Sequence, residues 1–162
     1  MKNTKKVLVF LVTALILITC MSLLAGCGKK EETKNNEYEE PIKNMFNGIQ
    51  NTDLDMYLSA YPDFINYKIT QSNLNEIMNV YISMYGQDIK ISYETKNAEE
   101  ISKEDLATVQ ENVKIYYNKE CKVEQGYNVE IEKTIKGNKD QQITITHINV
   151  YKIDGKWYTI NF

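Results

Sequence analysis

Few side chains in this chain of 162 residues carry reactive chemistry, and their spacing narrows what they can do. His147 is the one histidine. A single imidazole can act as a general base or orient a ligand through hydrogen bonds. A zinc site built on it would have to recruit Cys121 and carboxylates, which is a poor ligand set. The 12 tyrosines include Tyr57, Tyr61, Tyr81, Tyr85 and Tyr151, any of which could line an apolar cavity and present a phenolic donor. Tyr57, Tyr61, Tyr81 and Tyr151, together with His147, are the candidate binding residues, although tyrosines at helical spacing equally serve as core. Asp53, Asp55 and Asp63 flank expected helix ends, where carboxylates act as caps. There is no nucleophile motif, no Gly-rich phosphate loop and no arginine to clamp phosphate or carboxylate. The inventory points to binding without catalysis, and to no cofactor and no metal.

Cys27 has a different context. Lys2, Lys5 and Lys6 precede a nearly continuous aliphatic run from Val7 to Cys20, and Met21 to Gly26 turns toward small residues. A basic start, an apolar stretch and small residues before a cut site make a secretory signal. Val7 to Gly26 is also about the ~20 residues that a membrane-crossing helix needs. The pair Ala25-Gly26 directly before a cysteine separates the two readings, since an anchor helix has no need of it. Either way the three lysines stay inside and the remainder lies outside. The stretch ending Leu24-Ala25-Gly26-Cys27 resembles the signal and lipobox of bacterial lipoproteins. That resemblance implies cleavage between Gly26 and Cys27, a diacylglyceryl group on the Cys27 sulfur, and anchoring at the extracytoplasmic face of the cell membrane. At ~0.8 kcal/mol per buried methylene, one chain holds reversibly and two hold firmly.

Beyond residue 26 the chain has 16 lysines against 22 acidic residues, a net charge of −6. That balance excludes nucleic acid and disfavours adhesion to anionic headgroups. Abundant Lys, Asn, Ile and Tyr point to an AT-rich, Gram-positive source. Once Cys20 leaves and Cys27 is acylated, Cys121 is the only thiol, so no internal disulfide forms. Burial is expected for it. The 136 residues left suffice for one ordinary domain, expected to be monomeric. The organisation is therefore 1–26 signal, 27–37 lipidated cysteine and flexible tether, and 38–162 folded domain.

Within that domain four segments have helical period. Ile42, Met45, Phe46 and Ile49 form the first stripe. Leu54, Tyr57, Leu58 and Tyr61 form the second, capped by Thr52 or Asp53 and stopped by Pro62. Leu74, Ile77, Met78, Tyr81 and Tyr85 form the third, opened by Ser72 and closed by Gly86. Ser102 to Asp105 reads as a capping box ahead of Leu106, Val109, Val113 and Tyr116. The remainder alternates with period two: a strand over 88–96, another from Tyr127 to Ile135, a turn at Gly137-Asn138, and a return from Gln142 to Ile153. In that return the apolar set slips from Ile143 and Ile145 to Ile148 and Val150, which predicts a β-bulge near His147. Asp154-Gly155 makes a hairpin turn into a last strand, Trp157 to Phe162. Helices first and an antiparallel meander last define an α+β fold with the helices on one face of the sheet.

The order of elements, the bulged strands and the ending Tyr151-Lys152-Ile153-Asp154-Gly155-Lys156-Trp157-Tyr158 resemble the small NTF2-like (cystatin-like) lipoproteins of Gram-positive bacteria. The resemblance covers about residues 38 to 162 and implies N-terminal helices packed on a curved antiparallel sheet, a cone with a helix–sheet cavity. It also implies that Trp157 plugs the core. The functional expectation is a small-ligand or partner-binding domain. An accessory envelope protein with a filled cavity is the alternative, and an enzyme acting on a small apolar molecule is the third reading. The expected partners are the membrane, through the lipid on Cys27, and a small ligand or envelope protein.

Overall fold

The computed structural model describes residues 36–65 and 68–160. The signal, Gly26, Cys27 and the tether up to Asn35 lie outside the described residues, as do Asn161 and Phe162. A 3-10 turn at Glu37–Glu39 leads into α1 (Glu40–Asn51), followed by α2 (Leu54–Leu58) and α3 (Gln71–Tyr85). Strand β1 (Lys90–Glu100), helix α4 (Lys103–Tyr117), and strands β2 (Val123–Lys136), β3 (Gln141–Ile153) and β4 (Lys156–Thr159) complete the order. The strands form one open antiparallel sheet in the order β1-β2-β3-β4. The α+β class stands as expected.

Local chemistry explains most boundaries. Pro41 sits in the first turn of α1, where its missing N–H costs nothing. Asp53 caps α2 by accepting from the Met56 amide at 2.9 Å, whereas Thr52 is the left-handed residue that ends α1. Ser102 caps α4 through the Asp105 amide. Ser72 does not open α3. Thr70 does: its hydroxyl meets the Asn73 amide while Asn73 reaches back to the Thr70 amide, a reciprocal capping pair. Gly86 closes α3 at φ +89°, a backbone angle suited to glycine. Asp154 and Gly155 both have positive φ, the type I′ geometry that matches strand twist.

The sheet carries helices on both faces, which corrects the one-face expectation. Neighbouring residues of a strand point oppositely, and Val150 and Tyr151 belong to different clusters. Val150 packs with Ile42 and Phe46 of α1, with Val129, Ile131 and with Trp157. Tyr151 packs with Leu106 and Val109 of α4, with Ile153, Ile65 and Ile160. Gly126 permits the second approach, since a Cβ there would meet Leu106, Tyr151 and Ile101 at 2.9 to 3.1 Å. The α3 helix ends against the β2–β3 turn. The Tyr85 carbonyl accepts from the Lys139 and Asp140 amides, and the Tyr85 hydroxyl donates to Gln142 Oε1 at 2.7 Å.

No bulge lies near His147. The β2–β3 register runs unbroken from the Gln125–Lys152 pair to the Lys136–Gln141 pair. Ile143 and Ile145 instead point away from α1 and are more than half exposed, while Ile148 packs beside the α1 cluster and Val150 is buried in it. The apolar pattern changes face because the covering changes, and exposed β-branched residues are ordinary strand formers. The bulges fall elsewhere, between Thr95 and Asn97 in β1 and between Val123 and Gln125 in β2. Beyond its bulge β1 continues to Glu100, four residues past the expected end, and β4 stops at Thr159.

Candidate functional site

The five predicted binding residues do not converge. Tyr57 and Tyr61 meet each other beside α2, with ring centroids 5.3 Å apart and a hydroxyl contact of 3.0 Å. Tyr81 packs on Tyr85 within α3, 6.3 Å between centroids, and burial followed by the Tyr85 neighbour raises its pKa above the ordinary tyrosine value. Tyr151 is buried under α4 on the opposite face, and burial first, then Asp105, pushes its phenol up. Tyr81 and Tyr151 therefore remain protonated at neutral pH and contribute packing.

His147 stands apart on the solvent-facing half of the sheet, its side chain 55% exposed. Register brings it together with Glu130 directly opposite and with Asn128 and Asn149. Its Nδ1 lies 2.9 Å from Asn128 Oδ1, and Asn128 Nδ2 donates to Asn149 Oδ1 at 2.7 Å. Glu130 Oε2 is 3.6 Å from Nε2. The sheet thus holds a polar row, exposed at His147 and half-buried at Asn128 and Asn149, rather than an apolar cavity. Sequence reasoning missed Asn128, Asn149 and Glu130. Alternation along the two strands places them on the same face as His147 only when β3 is read without a bulge. Among the described residues no third His, Cys, Asp or Glu joins His147 and Glu130 in a group able to hold a metal.

Cys121 is half-buried rather than buried, because it lies on the loop between α4 and β2 at the margin of the α4 cluster. Burial, with Asp154 next, raises its thiol pKa, which lowers the thiolate fraction and the reactivity at neutral pH. Nearby is a depression of about 220 Å³ lined by Pro62, Asp63, Phe64, Lys119, Asp154 and Tyr158, among others. It is below the ~300 Å³ at which small-molecule sites begin. It contains none of the predicted binding residues. Trp157 is buried against Tyr38 and Tyr127, in the core position expected for it, and is not placed to stack on a ligand.

No helix among the described residues is long and apolar enough to cross a membrane. Comparison with family models, curated proteins and solved structures finds no match to this chain.

Proposed function

We propose that this chain is an extracytoplasmic lipoprotein of the cell membrane, anchored through lipid on Cys27, whose domain works by binding an envelope protein and not by catalysis. The anchor rests on Leu24-Ala25-Gly26-Cys27 and the signal ahead of it. The choice of a macromolecular partner over an enclosed small ligand rests on one observation. The aromatic residues that could have lined a cavity are spent in separate packing pairs and clusters, and the polar row at His147 faces solvent. A solvent-facing row of hydrogen-bonding side chains suits a partner surface, where polar contacts set register more than affinity. The NTF2-like assignment rests on the closing hairpin and on the order of elements.

Two measurements test this reading. Metabolic labelling with a fatty-acid analogue should mark the wild type and leave Cys27→Ser unlabelled, as precursor or shed protein. Crosslinking in intact cells from a photoreactive residue at Asn149 should then capture a discrete envelope protein. Label retained on Cys27→Ser defeats the anchor. A small molecule recovered in stoichiometric amount from the native protein, with no crosslinked partner, defeats the binding reading.

A further inference from the structure

Three lysines outside any ion pair gather at one end of the described domain. Lys90 and Lys136 are directly opposed across β1 and β2, a like-charged pair that costs stability, and Lys139 follows in the adjoining turn. All three are exposed, and none is ion-paired among the described residues. Asp88 and Asp140 stand in the same segments, and Asp140 Oδ1 is engaged by the Gln141 amide. Beyond residue 26 the net charge is −6, so most of the acid lies elsewhere. The same end exposes large apolar side chains on both flanks: Met84, 56% exposed, from the last turn of α3, and Ile143, 54% exposed, from β3.

Lysines beside protruding apolar residues match the boundary of an anionic bilayer, where ammonium groups meet headgroups and side chains such as Met and Ile enter the interface. We infer that the β2–β3 turn, with the end of α3, is a second membrane contact that seats the domain turn-down on anionic lipid. The inference rests on the proposed Cys27 anchor for its geometry. Nine residue steps lead from Cys27 to Asn36, a reach of at most ~30 Å. The chain enters the domain beside Thr95, which donates to Glu39 Oε1. From there to Lys90 is five strand residues, ~17 Å. The tether is long enough for the turn to touch the surface that holds the lipid. A contact of three lysines is weak in free solution, and the anchor makes it intramolecular, so modest affinity suffices to orient the domain.

The test uses the full chain, processed in membranes and reconstituted into vesicles of phosphatidylcholine alone or with one-third phosphatidylglycerol. Flotation on the neutral vesicles reports the anchor, and amide exchange reports the seat. Exchange over residues 84–90 and 136–143 should slow on the order of tenfold on anionic vesicles only. Any one lysine changed to Gln should remove most of that slowing, since about 1 kcal/mol per lysine is roughly fivefold in surface affinity. A second variant, Met84→Ser with Ile143→Ser, should weaken it with charge intact. If the protein floats on both vesicles and these segments exchange equally on both, the seat is wrong while the anchor stands. If it floats only on anionic vesicles, the anchor reading has failed, and slowed exchange at the turn still supports the seat. Slowing along α4 instead, or equal slowing by soluble polyphosphate without vesicles, overturns it in favour of another face or a general anion site.

Discussion

Trp157 is the residue on which the α1 face depends most visibly. It closes an aromatic group with Tyr38 at 6.2 Å and Tyr127 at 5.7 Å, joining the first turn of the domain to the last hairpin. Trp157→Ala should cost ~3–5 kcal/mol in denaturant unfolding, since neighbours on three sides cannot close the cavity. Tyr93, packed on Phe46, shows what burial does to a tyrosine: desolvation, then Glu39 and Tyr38, push its pKa to about 12. The folded state therefore holds this proton where the unfolded chain, near 10, releases it. Stability present below pH 10 should fall as pH rises from about 10 through about 12. Tyr93→Phe should flatten that fall in base titrations followed by circular dichroism. His147→Gln should keep folding within ~0.5 kcal/mol, as an exposed site demands. The residues able to do chemistry were legible by type. Their company was not, because Asn128, Glu130 and Asn149 meet His147 only through cross-strand register.

Elements with strong period and clear caps were legible: α1, α2, α4 and the Asp154-Gly155 hairpin follow directly from spacing and turn residues. The start of α3 was not, because Thr70 and Ser72 both qualify as caps and only the Asn73 reciprocal bond decides between them. Thr70→Ala should therefore cost ~1 kcal/mol, while Ser72→Ala should stay within ~0.5 kcal/mol, in thermal or denaturant unfolding. The misplaced bulge has a more general cause. Period-two reasoning assumes that every apolar residue faces the core, whereas the far half of β3 presents Ile143 and Ile145 to solvent. The α1–α2 corner depends on a different kind of constraint. A Cβ on Gly48 would sit 2.5 to 2.7 Å from Tyr57 N, Cα and Cβ, so the two helices touch backbone to side-chain root. Nothing in the spacing of the stripes announces that contact.

For the whole molecule, α+β class and strand order were readable because four period-two segments follow the helices with short turns between three of them. The placement of α4 on the second face was not, since nothing local records which side a helix between two strands will take. Its consequence is kinetic. The strands β2, β3 and β4 are joined by short turns, so their pairing closes small loops: Lys136 meets Gln141, and Ile153 meets Lys156. Pairing of β1 must instead enclose α4, joining Glu100 to Tyr127 and Lys90 to Lys136. Loop closure costs rise with length, and hairpins form in ~1–10 μs. The three-stranded meander should therefore be structured in the folding transition state, and β1 should arrive late, with α4 swinging beneath the sheet as it docks. Substitutions such as Val129→Ala should slow folding, whereas Val113→Ala in α4 should mainly accelerate unfolding. A chevron in which Val113→Ala slows folding as much as Val129→Ala does would reverse that order and make the crossover helix part of the nucleus.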